Sequence, residues 1–408
     1  MKILSVNKFL YLKGGAEASL LLKARLLEEK GHKVNFFSMV HPDNIETPDT
    51  QYFVSRVDYE NPGTFAEKAK AAARILYSIE ARKNLARLIE DERPDIVHLH
   101  NIQHQISPSI LHTLKKFNLP SVMTLHDYKV VCPVYTLFNK GELCEKCKGQ
   151  KYFRCLFNKC SKNSFSKSFL MTLEMYIHHK ILHIYDLVDV FISPSQFLKD
   201  KIVEMGFHRD IYLLPNFINI DEPLPSDTHD SKTIVYFGRI SQEKGLFTLI
   251  SAMKGLRVQC KIIGTGPLTA RLNSRIADEK IGNVILSGHK SGKELQNEIN
   301  KSLCVVLPSE WYENNPRSVL ETFALGKPVI GSRIGGIPEL IADNRNGLTF
   351  EPGNPEDLRE KILYMIKNPD KVRDMGKNAR AFVEKNHAPE QYYQNLMELY
   401  KKAIRKHS

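Results

Sequence analysis

The sequence predicts an α/β protein built from two Rossmann-like domains in tandem, each a doubly wound, mostly parallel sheet, facing one another across a cleft. Three observations carry this. Short apolar runs alternate with amphipathic stretches through the first half. A polar, proline-bearing stretch, Ile220–Asp230, reads as a linker, and the alternation restarts after it. Within the second half, Leu303–Leu307 is continuously apolar and β-rich, as a strand buried on both faces must be.

In the first domain, residues 1–219, the expected strands are Ile3–Val6, Val34–Ser38, Ile96–His100, Ser121–His126, Val188–Ser193 and Ile211–Pro215. Amphipathic helices are expected at Ala16–Lys30, Ala66–Glu92 and Ile106–Phe117. The second domain, 220–388, offers strands at Thr233–Phe237, Val258–Ile263, Val284–Leu286, Leu303–Leu307 and Val329–Ile330. A helix follows Leu303–Leu307, with Asn315 as N-cap, Pro316 as first helical residue and Gly326 as its stop. Beyond Pro355 the chain reads as helical, ending in a helix over Glu390–Ile404 within a tail of 389–408.

The chain has 408 residues, enough for two cores, and an ordinary apolar content of 42%. No apolar run approaches the ~20 residues of a spanning helix. The N-terminus, MKILSVNKFLYLKGG, reads as a first strand and not as a signal peptide, which makes a cytoplasmic protein the expectation. Net charge is +12, which favours anionic partners such as nucleotides, lipid diphosphates or an anionic membrane.

Ligands of doubly wound sheets bind beyond the carboxyl ends of the strands, so the loops there are the candidates. Gly14-Gly15-Ala16-Glu17 opens a helix after the first strand, where glycines permit close backbone approach. His126 ends a strand in TLHD, and a neutral imidazole there can bond a sugar hydroxyl. His98 reads as structural, whereas His100 and Asn101, at a strand end, are candidates for the acceptor side of the cleft. Arg239 and Lys244 lie in a loop bracketed by glycines, and two cations there can neutralise charge on a departing diphosphate. Gly264 and Gly266 form another strand-to-helix turn. Glu313 and Glu321 flank a helix start, an anion-binding position that a carboxylate itself does not suit. They fit the hydroxyls on either side of a diphosphate, as in a nucleotide-sugar.

Taken together, GGAE, TLHD, YFGRISQEKG, IIGTGP, ENNPRSVLE and IGGIPE resemble, in order and spacing, the family 4 glycosyltransferases of the GT-B fold. The likeness spans almost the whole chain and centres on two glutamates separated by seven residues, Glu313 and Glu321. The loop here is ENNP where many relatives are glycine-rich, a variant of the pattern. The resemblance implies that Glu321 holds the ribose, Glu313 contacts the donor sugar, and Asn314, Asn315, Pro316, Arg317 and Ser318 face sugar and diphosphate. It further implies that Arg239 and Lys244 bind the diphosphate, His126 orients the donor sugar, and Gly15 approaches the phosphate from the opposite domain. It implies a retaining reaction, with a UDP- or GDP-sugar as donor, a glycan or polyprenyl-diphosphate-linked acceptor, no cofactor required for catalysis, and a last helix that returns to the first domain.

Five of the seven cysteines lie between 132 and 160, in an insertion after TLHD. Cys144 and Cys147 form a Cys-x2-Cys pair, and with Cys155 and Cys160 they have the look of a structural zinc site. Reduced thiols or a disulfide are the alternatives, a disulfide being disfavoured in a cytoplasmic enzyme. Lys140, Lys146, Lys148, Lys151, Arg154, Lys159, Lys162 and Lys167 make the region basic, beside an apolar helical stretch, Phe165–Tyr185. This suits peripheral contact with an anionic membrane; solvated lysines beside a buried helix are the plainer reading.

The function expected is a retaining glycosyltransferase in cell-surface polysaccharide biosynthesis. A GT-B-fold sugar-nucleotide epimerase is the alternative, though no acid/base pair for proton abstraction stands out. A nucleic-acid-binding protein would account for the charge but leave the strand-end loops without a role, so no nucleic-acid partner is expected.

Overall fold

The computed structural model describes residues 1–59, 63–220 and 232–407. The first half supplies strands β1 (Lys2–Val6), β2 (Lys33–Phe37), β3 (Ile96–Leu99), β4 (Ser121–Thr124), a short hairpin β5 (Phe138–Asn139) and β6 (Glu142–Leu143), then β7 (Val190–Ser193) and β8 (Ile211–Leu213). Helices α1 (Gly15–Glu29), α2 (Phe65–Leu76), α3 (Ile79–Glu92), α4 (Leu111–Lys116), α5 (Phe153–Phe157), α6 (Phe165–Tyr176) and α7 (Gln196–Glu204) lie between them. The sheet runs β2-β1-β3-β4-β7-β8, every pair parallel. Strands β3, β4 and β7 are buried at every residue, as strands covered by helices on both faces must be.

The second half adds β9 (Thr233–Phe237), α8 (Leu246–Met253), β10 (Gln259–Ile263), α9 (Thr269–Asp278), β11 (Val284–Leu286), α10 (Gly292–Asn300) and β12 (Cys304–Leu307). It continues through α11 (Arg317–Ala324), β13 (Val329–Ser332), α12 (Ile337–Leu340) and β14 (Gly347–Phe350) to α13 (Pro355–Lys367), α14 (Pro369–Asn386) and α15 (Pro389–Arg405). Its sheet is β11-β10-β9-β12-β13-β14, also parallel throughout. Renumbered within the domain this is the 3-2-1-4-5-6 order of a dinucleotide-type fold. Helix α15 crosses back to the first sheet, where Leu396, Tyr400 and Ala403 are buried among Ile3, Leu27, Val122 and Val190.

The structure corrects several expected bounds. Ala66–Glu92 is two helices, because Tyr77 is extended and the Ser78 hydroxyl accepts from Ala81 N at 3.2 Å, starting a new helix. Strand β14 was not expected; GLTF is too short and too glycine-dependent to stand out. Asn315 does not cap α11. Pro316 holds an extended ψ of 113°, so helical turning begins only at Arg317. Asn315 is one residue too early to reach the first free amides, and its oxygen instead accepts from Asn216 Nδ2 at 3.1 Å. Most of the expected linker, 221–230, lies outside the described residues.

Candidate active site

The strand order of the second sheet reverses between β9 and β12, so the loops leaving these strands diverge and open a crevice. Arg239 lies exposed in the loop after β9. That loop is pressed against the turn after β10: a Cβ on Gly264, where φ is +144°, would stand 1.9 Å from the Gly238 carbonyl oxygen. Only glycine allows the two loops to stack this closely. Gly266 likewise lies against the Ile240 carbonyl, 2.2 Å from where its Cβ would be.

The loop after β12 carries Glu313, which is 6% exposed. Its Oε1 accepts from Lys244 Nζ and Ser309 Oγ, each at 2.6 Å. Burial pushes this carboxyl up, but Lys244 and Ser309 outweigh it and hold the group below its ordinary value. Glu313 is thus an anion held by a cation on the β9 loop, and Lys244 also lies 5.1 Å over the Trp311 ring. The turn before α12 braces the loop from behind: Gly336 N–H donates to the Glu313 carbonyl at 2.7 Å. A Cβ on Gly336 would meet the Asn314 carbonyl at 1.8 Å. On α11, Arg317 Nε is 3.3 Å from Glu321 Oε1, while Ser318 is partly exposed and its carbonyl accepts from Thr322 Oγ1 at 2.6 Å.

The first domain supplies the facing wall. Gly15 begins α1 against Arg317, whose Cδ would lie 3.7 Å from an added Cβ. Next to it, Lys13 sits 3.7 Å over the Phe9 ring. Partial burial and the charges of Lys8 and Arg239 lower its amine from the ordinary value, while Glu17 opposes them, so Lys13 and Arg239 share one electrostatic region. Asn314 crosses to this wall, donating from Nδ2 to the carbonyls of Leu125 at 3.3 Å and His126 at 3.4 Å. Its Oδ1 accepts from Ser195 Oγ at 2.7 Å. Backbone N–H groups of Gln196 and Phe197, at the start of α7, donate to Glu339 at 2.9 and 2.5 Å.

His126 is half-buried at the end of β4, and its Nε2 is 2.7 Å from His100 Nδ1. Burial lowers its imidazole to about 3, so the ring is neutral. His100, expected on the acceptor side of the cleft, is only 4% exposed and stands behind His126. Asn101 ties loops together: its N–H donates to Asn7 Oδ1 at 3.0 Å, and its carbonyl accepts from Lys8 N at 2.9 Å. His98 is structural as expected, fully buried with Thr124 Oγ1 at 2.7 Å and the Tyr400 hydroxyl at 2.7 Å.

The structure therefore brings together Arg239, Lys244, Glu313, Asn314, Arg317, Gly15 and His126, and removes His100 from the open surface. Sequence reading missed Lys13, Ser195, Glu339 and Lys23. Lys23 left a signal: it falls on the apolar stripe of α1, between Leu20, Ala24 and Leu27, all buried.

Cys132 joins Cys144, Cys147, Cys155 and Cys160 around one cavity of about 10 Å³. Burial raises the thiols of Cys132 and Cys147, and a hydrogen bond with Cys155 together with burial raises that of Cys160, so in the metal-free chain these are neutral thiols. Among the described residues no three His, Cys, Asp or Glu side chains form a group arranged to hold a metal ion. No described helix is long and apolar enough to cross a membrane.

Comparison with known proteins agrees with this architecture. Residues 13–222 match the family model described as Glycosyltransferase Family 4, and residues 221–382 that described as Glycosyl transferases group 1. An uncharacterized glycosyltransferase of Methanocaldococcus jannaschii, MJ1178, is 27% identical over 311 residues, covering 76% of each chain. The amylovoran biosynthesis glycosyltransferase AmsK of Erwinia amylovora is 30% identical over 228 residues, 52% of this chain and 56% of AmsK. The Anabaena protein Alr3699/HepE, solved in complex with UDP-glucose, superposes with a TM-score of 0.68 at 16% identity over 98% of both chains, a likeness of fold. The two matched segments, the paired parallel sheets and the crevice at the strand reversal agree: the chain is a glycosyltransferase of family 4, with the GT-B fold.

Proposed function

We propose that the chain transfers a hexose from a UDP- or GDP-sugar to a glycan or lipid-linked saccharide, with retention at the anomeric carbon, in cell-surface polysaccharide synthesis. The observation that carries this is the meeting of cations at the glycine start of α1: Lys13 and Arg239 act on one another there, and Arg317 lies against Gly15. Cations converging on exposed backbone suit a diphosphate. Glu313 and Glu321 then fall to either side, at sugar and ribose. In the reaction the acceptor oxygen bonds to the anomeric carbon as the bond from that carbon to the diphosphate breaks. The hydroxyl's proton passes to the departing diphosphate oxygen, and the cations stabilise the charge that develops. The UDP-glucose bound by HepE and the amylovoran role of AmsK support the donor class and the biosynthetic setting. Incubation with sugar nucleotides and acceptor saccharides, with NMR assignment of the product's anomer, tests it. Inverted product, or epimerised donor in the absence of acceptor, would refute the retaining transfer.

Contact with an anionic membrane is part of the same reading. Phe153 and Phe157, in the lysine-rich insertion, and Phe165 and Phe169, on the adjoining α6, are exposed, Phe157 at 74%. Flotation with liposomes that is indifferent to anionic lipid rules this out. The structural zinc has the gathering of five thiols in its favour, but holding it requires those side chains to turn toward a common centre. Elemental analysis without stoichiometric zinc removes it.

A further inference from the structure

Behind His126 runs a chain of polar side chains that the transfer reaction does not call for. Lys23, on α1, is 2% exposed, and among the described residues no carboxylate pairs with it. Its Nζ stands 3.0 Å from His98 Nδ1 and also contacts His100 Nε2. His100 Nδ1 is in turn 2.7 Å from His126 Nε2. The imidazoles of His98 and His100 are stacked, with centroids 4.6 Å apart, whereas those of His100 and His126 meet edge to edge, with centroids 5.0 Å apart and planes 23° from parallel. The far end is closed by α15, whose Tyr400 hydroxyl lies 2.7 Å from His98 Nδ1.

Burial without a counter-charge lowers the Lys23 amine well below its ordinary value, because desolvation penalises the ammonium and so favours the neutral amine. A neutral amine carries one lone pair and is a better acceptor than donor, whereas an imidazole N–H is a good donor. The favoured sense of the chain is therefore His126 Nε2–H donating to His100 Nδ1, and His100 Nε2–H donating to Lys23. His98 completes it, donating from Nε2 to Thr124 and accepting at its single Nδ1 lone pair from the Tyr400 hydroxyl, the shorter contact, with Lys23 alongside. In this sense His126 keeps a bare Nδ1, an acceptor. Reversal would place a proton on Nδ1 and turn it into a donor.

We infer that Lys23 is a positioning residue which, through His100, fixes His126 as the Nε2–H tautomer, so that its free Nδ1 accepts a hydrogen bond from a hydroxyl of the bound sugar. The inference rests on the reading that His126 faces the donor sugar. The lysine touches no substrate; it decides which kind of hydroxyl contact His126 can make.

Long-range ¹H–¹⁵N correlation on the full chain with ¹⁵N-labelled histidine tests this, the His126 resonances being identified by their loss in His126→Gln. The wild type should show His126 protonated at Nε2. In Lys23→Met the buried His100 Nε2 loses its acceptor, so the His100 proton moves to Nδ1 and His126 should become protonated at Nδ1. Donor kcat/KM should fall roughly tenfold, the worth of one hydrogen bond. A wild-type His126 protonated at Nδ1, or a folded Lys23→Met with an unchanged His126 tautomer, overturns the inference; the wild-type spectrum decides it even where the variant does not fold. If His126→Ala leaves donor kcat/KM unchanged, the donor-sugar reading fails instead, and the tautomer measurement still judges Lys23's hold on His126.

Discussion

Lys244 Nζ stands 2.6 Å from Glu313 Oε1, joining the loop after β9 to the loop after β12 across the reversal of strand order. Both side chains are largely buried, so neither charge is well solvated without the other. Glu313→Gln keeps the shape and an acceptor for Ser309 but leaves Lys244 unpaired. We expect a loss of roughly 1–3 kcal/mol in urea unfolding, between the values for surface and fully buried pairs. Turnover should fall about tenfold to a hundredfold as the crevice loops lose their register. Full activity in this variant would refute the site assignment.

A second buried pair sets the acid limit. Glu174, on α6, is fully buried, with Lys129 Nζ at 2.7 Å and His104 Nε2 at 3.3 Å. Burial acts to raise its carboxyl, but Lys129 and His104 prevail and hold it well below the usual range. A carboxyl depressed in the folded state contributes stability at pH above its unfolded pKa of ~4.3, and that contribution is lost as pH falls below it. Chemical denaturation at pH 7 and pH 4 should show the wild type losing stability on acidification. Glu174→Gln should be weaker at pH 7 by about 3–5 kcal/mol and lose less on acidification. Parallel pH profiles for the two proteins would contradict this.

Gly336 is fixed by contact, not by a left-handed backbone. In Gly336→Ala the new methyl would sit 1.8 Å from the Asn314 carbonyl, so the loop carrying Glu313 and Asn314 must move. A cost of about 1–3 kcal/mol is expected, with loss of activity. Gly255→Ala is the contrast: φ there is +70° but nothing lies within 4 Å of the added carbon. Its modest backbone strain should leave activity intact.

Leu396 lies near the end of the chain yet is completely buried against the first sheet. Leu396→Ala should cost about 2–5 kcal/mol, an outcome foreign to a dispensable tail. Thermal unfolding followed by circular dichroism checks it; an unchanged Tm would mean that α15 does not hold the domain together.

Much of this protein could be read from its residues. Apolar periodicity located every strand of the two main sheets except β14, and the glycine turns marked where backbones approach one another. Glu313, Glu321, Arg239 and His126 stood out because each lies at a strand end or helix start, positions that sequence order alone defines. Other features were not local. The chain contains Glu313 and Lys244 at a separation of 69 residues, and nothing in either segment states that one neutralises the other. His100 looked like a cleft residue because it ends a strand; only the arrival of Lys23 and His126 around it makes it part of the wall. Strand-end chemistry and element type follow from nearest neighbours along the chain, whereas charge pairing, tautomer and burial depend on what distant elements bring to the same place. For His126 the sequence by itself determined the ring and its position at a strand end. The tertiary structure decided which partners its ring meets: His100, just past β3, and through it Lys23 on α1, which also contacts His98, bonded in turn to Tyr400 on α15.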